Sequence, residues 1–231
     1  MKRSTINAIL RAADAFIREC GFHLPPFAYW TPEEWRARGP ECAEIATNRL
    51  GWDITDFGIG DFAHTGLTLF TLRNGHPREP VSKPYAEKIL IVEEGQITPL
   101  HFHWRKTEDI INRSGGVLAV QLYASTSDER LDETRPITIS LDGMQRTVAA
   151  GSVITLQPGE SVTLPPRLYH AFWGEKGRVL VGEVSSINDD ATDNRFLRPI
   201  GRFPDIDEDE PPLYLLCTDY ERFFSVQQNN G

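Results

Sequence analysis

Two periodicities divide the chain. Near its start, Ile6, Ile9, Leu10, Ala13, Phe16 and Ile17 fall on one face at helical spacing. Ser4 stands in the place of a cap and Gly21 at a natural stop, so the pattern predicts a helix capped by Ser4 that runs to Gly21. The stretch TPEEW carries a second start signal, with Thr31 as cap, Pro32 at the first helical position and Glu34 three after the cap. Residues 1–50 therefore read as a mostly helical, peripheral extension.

Beyond LGWDITDFGIGDF the pattern changes. GLTLFTL, EKILIVEE, GQITPLHFHW, GVLAVQLYAS, PITISLDG, SVITLQPGESVTLP and RVLVGEVSSI are short, rich in Ile, Val, Leu and Thr, and punctuated by Gly, Pro, Asn and Asp. Many short strands at this spacing predict a sandwich or barrel. No long helical pattern separates them, which argues against a parallel α/β sheet. The acidic, proline-bearing GRFPDIDEDEPPLY reads as a solvated surface loop. No linker, fixed-period repeat or low-complexity tract splits the chain. The expectation is one domain over 1–231, with the barrel over about 60–200 and a C-terminal segment over 201–231.

Composition narrows the partners. The formal net charge is -9, and no basic stripe is present to neutralise phosphates, which argues against nucleic acid. No apolar run is long enough to span a bilayer, and MKRSTINAIL lacks the apolar core of a signal peptide. Cys20, Cys42 and Cys217 are odd in number and scattered, neither a disulfide framework nor a zinc-finger spacing. A soluble protein of a reducing compartment, the cytoplasm, is expected.

The chemistry concentrates in GQITPLHFHWRKTEDIINRSG, Gly95 to Gly115. Residues two apart on a strand point to the same face, so His101 and His103 project together and Phe102 away from them. Two imidazoles so placed supply half of a metal's inner ligands. WRKT can turn the chain, and Glu108 can return a carboxylate from the neighbouring strand. A lone H-x-H is more often decoration of a solvated face. His23, His64 and His76 have no partner spacing and need no role, and Lys83 reads as a loop residue.

The frame Gly95, five residues, His101, one, His103, four, Glu108, six, Gly115 resembles the first cupin motif, with both glycines placed where strands must turn. Its second half follows as Gly159, Pro165 and His170 in register, with Arg167 where a glycine is usual, which leaves the turn there in question. The resemblance implies a mainly β cupin double-stranded β-helix barrel with His101, His103, Glu108 and His170 as ligands of one divalent metal. Three imidazoles and a carboxylate suit Mn, Fe, Co, Ni or Zn. Four donors on an octahedral ion leave two positions open, which suits a bidentate hydroxy-carbonyl.

KPYAEKILIVEEGQITPLHFHWRKTEDIINRSGG, PGESVTLPPRLYHAFWGE, GEVSSINDDATDNRF and EDEPPLYLLCTDY further resemble the D-lyxose ketol-isomerase family of cupin sugar isomerases, helical N-terminus included. That resemblance implies interconversion of D-lyxose with D-xylulose, and of D-mannose with D-fructose, with Mn(2+) and a homodimer. Such isomerisation passes a proton between C1 and C2 through an enediol and needs a base and an acid. The nearby candidates are Lys88, Glu183, Asp190, Asp193 and Arg195. Lys88 lies in the apolar EKILIV. Outward, it is ordinary. On the inner face of a barrel, burial disfavours its charge and it can trade protons. Glu183 is a base or hydroxyl acceptor at the end of a barrel strand, or an exposed strand-end residue. Asp190 and Arg195 are candidate sugar contacts, with Arg195 also expected to pair with an aspartate of NDDATDNR. Trp104, Phe172 and Trp173 flank the ligands. They either cover the apolar side of a sugar or pack the barrel.

Three other activities fit the same ligands. An oxygen-activating iron cupin shares the donor set. A sugar-binding cupin without catalysis would exchange no C2 hydrogen. A phosphosugar isomerase would need a cationic cradle, for which Arg167 and Lys88 alone are thin.

Overall fold

The computed structural model describes residues 1–79, 82–201 and 204–224. Helix α1 spans Arg3–Glu19, α2 Pro32–Arg36, α3 Ala43–Thr47 and α4 Tyr220–Phe223. The strands are β1 Gly51–Thr55, β2 Leu67–Arg73, β3 Tyr85–Val92, β4 Thr98–His103, β5 Glu108–Ser125 and β6 Leu131–Asp132. They continue as β7 Ile137–Leu141, β8 Met144–Val148, β9 Val153–Leu156, β10 Ser161–Leu164, β11 Leu168–Ser186 and β12 Asn194–Phe196. The expected extension and barrel are both present.

Strands β5 and β11 are long, 18 and 19 residues, and pair antiparallel along most of their length. The ribbon bends where the register shifts between Glu175 and Val179, with Val179 opposite Gly115. Its two halves serve two sheets. One half carries β3 on Val179–Ser186 and β10 on Glu108–Ile111. The other carries β4 beside His170 and Phe172, and β9 on Leu118–Gln121. Leu69, Leu90, Ile110 and Val181 of the first sheet share one core with Val120, Leu122, Ile154 and Phe172 of the second. Alternation along β3 then assigns faces. Lys88, Leu90 and Val92 point inward, whereas Ile89 and Ile91 pack outside against Ile6, Leu10, Ala13 and Ile17 of α1. The helical extension thus covers the outer apolar face of the first sheet.

Gly115 sits where the ribbon bends, and does not end a strand as the motif spacing suggested. It lies inside β5 at φ +93°, and a Cβ there would meet the Arg178 carbonyl oxygen at 2.2 Å. Gly95 does turn the chain, between β3 and β4.

The capping box at Thr31 forms: Glu34 N–H donates to Thr31 Oγ1 at 3.2 Å, and Thr31 N–H donates to Glu34 Oε2 at 2.8 Å. Ser4, however, does not cap α1. The helix starts at Arg3, and both the Ser4 amide and hydroxyl donate to Asp209, at 2.9 and 2.7 Å. The acidic segment expected to be a solvated loop is therefore a partner of α1. Arg3, fully buried, reaches Glu208 at 2.8 Å and Asp219 at 2.9 Å, and Asn7 donates to Glu210. Residues 202, 203 and 225–231 of the predicted C-terminal segment lie outside the described residues.

Candidate metal centre and proton-handling site

Strand alternation on β4 sends His101 and His103 into the barrel while Phe102 packs behind them against Tyr169, ring centres 4.8 Å apart. His101 stands opposite His170 of β11. Glu108 opens β5 in the first sheet, beside Ser185 of β11 and Leu164 of β10, so its carboxylate reaches the histidines from the facing sheet and not from a strand adjacent to β4. Arg167 meets the requirement left by the missing glycine. It adopts φ +64°, the left-handed conformation, and its guanidinium lies 5.1 Å from the Trp104 ring centre.

The four side chains are almost wholly buried. The ligand nitrogens of His101, His103 and His170 lie within 4.8 Å of one another. His101 Nδ1 donates to the Pro99 carbonyl at 2.8 Å and His170 Nδ1 to the Leu168 carbonyl at 3.0 Å. Those bonds fix the tautomers and leave each Nε2 as a lone pair facing the cavity. Glu108 Oε1 lies 3.0 Å from His170 Nε2 and 3.3 Å from His103 Nε2. Two acceptors pointed at each other repel unless a cation sits between them. Among the described residues Glu108 Oε1 and His170 Nε2 find no hydrogen-bond partner, which buried polar atoms seldom tolerate. Burial, then the neighbouring His170, holds His101 well below the usual imidazole range, and burial and Lys106 lower His103. Burial pushes Glu108 up, but Lys106 and His103 outweigh it and hold the carboxyl well below its usual range. Two neutral imidazoles and one carboxylate converge with His170, a donor set that fits a divalent metal ion.

Beside this set lies a second group of charges. Lys106 Nζ is 2.6 Å from Glu108 Oε2 and 2.9 Å from Glu183 Oε1, and Lys88 Nζ is 3.3 Å from the same Glu183 oxygen. Lys88, Lys106 and Glu183 are all buried. Burial works against charge on Lys106, yet Glu108 and Glu183 raise its value further. Burial likewise pushes Glu183 up, but Lys106 and Lys88 more than reverse it. The donor set and the ion cluster line one cavity together with Phe172, Asp190, Asn194 and Phe196.

A model of the family described as D-lyxose isomerase matches residues 1–220. The chain belongs to the D-lyxose isomerase family. It is an aldose–ketose isomerase of the ketol-isomerase class. It is 53% identical over 230 residues to a D-lyxose/D-mannose isomerase of Serratia proteamaculans, covering 97% of this chain and 100% of the relative. It is 51% identical over 227 residues to the D-lyxose/D-mannose isomerase of Escherichia coli O157:H7, covering 96% and 100%. In fold it resembles the L-ribose isomerase of Cellulomonas parahominis, with TM-score 0.60 at 16% identity over 90% of this chain and 98% of that one. The barrel is thus a cupin double-stranded β-helix. Among the described residues no helix is long and apolar enough to cross a membrane.

Within this family site the structure sorts the expected residues. Lys88, Glu183, Asp190 and Phe172 line the cavity with His101, His103, Glu108 and His170. Asp190 comes within 3.9 Å of Lys88. Trp104 and Arg195 are not in the cavity lining. Arg195 stands opposite Phe102, on the face turned away from the histidines, and pairs with Glu129 at 2.6 Å in place of an aspartate. Trp104 stacks edge-on against Phe102 behind the ligands, and Trp173 donates to Glu175. Asp193 is buried and accepts the backbone N–H groups of Arg105 and Lys106 at 2.9 and 3.0 Å. His64 pairs with Asp61 at the surface, and Lys83 pairs with Glu44.

Three cavity residues escape the sequence pattern. Lys106 sits in WRKT, which reads as a simple turn. Asn194 and Phe196 share the ligand face because they stand opposite His103 and His101. Phe196 stacks on His101 with ring centres 5.2 Å apart. The alternation in NRF is the available signal, but only pairing with β4 gives it a direction.

Proposed function

We propose that the enzyme interconverts free D-lyxose with D-xylulose and D-mannose with D-fructose, through a cis-enediol, with Mn(2+) held by His101, His103, Glu108 and His170. The observation that carries this reading is the convergence in one cavity of a donor set that fits a divalent metal and the Glu183 carboxylate flanked by Lys88 and Lys106. The relatives' names support the sugar pair. When bound, the metal supplies Lewis-acid stabilisation of negative charge on the sugar oxygens.

The chain's own groups carry the proton. Glu183 is ionised at neutral pH and accepts the C2 proton of the aldose, then delivers it to C1. Over the same cycle a proton passes from O2 to O1. Lys88 and Lys106 present N–H donors towards those oxygens. Asp190 accepts a sugar hydroxyl, and Phe172 and Phe196 face the apolar C–H side.

The test is a panel of free pentoses and hexoses with added manganese, without oxygen, scored for aldose–ketose conversion and for C2 hydrogen exchange with deuterated water. Conversion and exchange are expected with D-lyxose and D-mannose. Turnover only when oxygen is admitted, or sugar binding with neither conversion nor exchange, would overturn the reading. Lys88→Ala and Glu183→Ala are each expected to lower turnover by about 10²-fold or more with metal still bound. Near-wild-type turnover in both would remove them from the mechanism.

A further inference from the structure

Asn74 follows β2, on the far side of the lysine–carboxylate group from the metal donors, and is 6% exposed. Its side-chain amide holds both backbone groups of one residue. Nδ2 donates to the Asn188 carbonyl at 3.0 Å, and Asn188 N–H donates to Oδ1 at 3.0 Å. Asn74 is anchored in turn, since Asn48 Nδ2 donates to its carbonyl at 3.0 Å. Asn188 lies between β11 and β12, outside every strand, in a connection dense in turn formers. Its own Oδ1 accepts from Lys88 Nζ at 2.6 Å and from Lys106 Nζ at 3.4 Å.

We propose that Asn74 is a positioning residue for the isomerisation: it clamps Asn188, whose side-chain oxygen sets Lys88 and Lys106 beside Glu183. The inference rests on the reading of Lys88 and Glu183 as proton-handling groups. Lysine has a flexible stem and a compact charge, so nothing in its own chemistry holds it at one distance from a carboxylate. The competing positions are close. Glu183 lies 3.3 Å and Asp190 3.9 Å from Lys88, against 2.6 Å for Asn188. Asn188 is the neutral partner that keeps Lys88 from collapsing onto either carboxylate. It can do so only while its backbone is fixed, and in this loop the two-point amide clamp takes both backbone groups of Asn188. Neither Asn74 nor Asn188 lines the cavity, so the clamp acts on the geometry of proton transfer through Lys88 and Lys106.

The experiment uses the full chain, loaded with manganese and assayed on D-lyxose, as Asn74→Ala, Asn188→Ala, Lys88→Ala and the Asn74→Ala/Lys88→Ala double variant. Misplacement of a reacting group by about 1 Å costs up to about 10²-fold, so Asn74→Ala and Asn188→Ala are each expected to lower kcat by about tenfold or more, with KM within about twofold. Metal content stays at the wild-type level. The double variant is expected to lose less than the product of the two single losses, because part of the clamp's effect works through a lysine already removed. Wild-type kcat in Asn188→Ala, or losses that multiply in the double variant, would overturn the proposal. So would an Asn74→Ala variant that is merely less heat-stable at unchanged kcat. Should Asn74→Ala not fold, Asn188→Ala decides alone. If Lys88→Ala itself turns over normally, the proton-handling reading falls and the clamp with it. If Lys88→Ala is impaired and Asn74→Ala is not, only the clamp falls.

Discussion

Lys106 is the residue on which the two halves of the site meet. Its Nζ touches Glu108, beside the three histidines, at 2.6 Å and Glu183 at 2.9 Å. It is 3% exposed, so its removal leaves Glu108 without a lysine, and Glu183 with Lys88 alone, in a place that water hardly reaches. Breaking a buried pair from one side costs about 3–5 kcal/mol, most of it from the charge left alone. Lys106→Met is accordingly expected to lower the unfolding free energy of the metal-free protein by about that amount, read from urea unfolding. An unchanged midpoint would show that the carboxylates do not depend on Lys106. The same contact explains why the residue is illegible in the sequence. Its neighbours in WRKT carry no periodicity, and the backbone that aims it is held by Asp193, almost ninety residues later in the chain. His101, His103 and His170, by contrast, are legible because strand alternation and motif spacing put them together.

At the scale of elements, the β5–β11 ribbon decides where the ligands stand. Its bend passes one half to each sheet, which brings Glu108 and Glu183 from the first sheet to face His170 from the second. The alternating apolar segments are readable as strands. The fusion of HAFWGE and RVLVGEVSSI into one 19-residue strand is not, since Gly177 and the charges between them look like a turn when read locally. Gly115 is the element's fixed point. Its φ is +93°, and a Cβ on it would lie 2.2 Å from the Arg178 carbonyl oxygen, which leaves no room for a side chain. Gly115→Ala must both strain its own backbone and push the partner half of the ribbon away. The expected outcome is a loss of at least about 1–3 kcal/mol, in the range for strained backbone positions, measured by denaturant unfolding. Gly95→Ala is the control. Gly95 also has positive φ, +71°, but its surroundings are open, so it should lose less. Equal losses would mean that the carbonyl contact at the bend is unimportant.

Over the whole molecule, the two ends of the described chain close on each other across the outer sheet face. Arg3 N–H donates to the Asp207 carbonyl, Asp207 N–H donates to the Met1 carbonyl, and Asn7 Oδ1 accepts from Leu213 N–H. Arg3 is the centre of this closure, with none of its side chain exposed and bidentate contacts to Asp219 and Glu208. Burial by itself would lower the Arg3 value, but hydrogen bonds to Glu208 and Asp219 reverse it and raise it, so Arg3 stays charged. In the unpaired state Asp219, only 8% exposed in its side chain, would keep a buried charge facing Arg3's vacated place. Arg3→Met is expected to cost about 3–5 kcal/mol on that account. The pH dependence follows from Glu208. The Arg3 hydrogen bond comes first among the causes that hold its carboxyl below the ordinary 4.5. A depressed carboxylate contributes stability fully above its unfolded value and loses it as pH falls through the lower folded value. The wild-type melting temperature should therefore fall more steeply below pH about 4.5 than that of Arg3→Met, in which Glu208 keeps only Arg222 at 3.1 Å. The slope assigned to Glu208 is modest, because its side chain is 35% exposed and solvent screens the pair. Melting curves from pH 6 to 3 on both proteins decide it. Parallel slopes would mean that the closure of the chain ends rests on Asp219 and the apolar face of α1, with Glu208 contributing nothing.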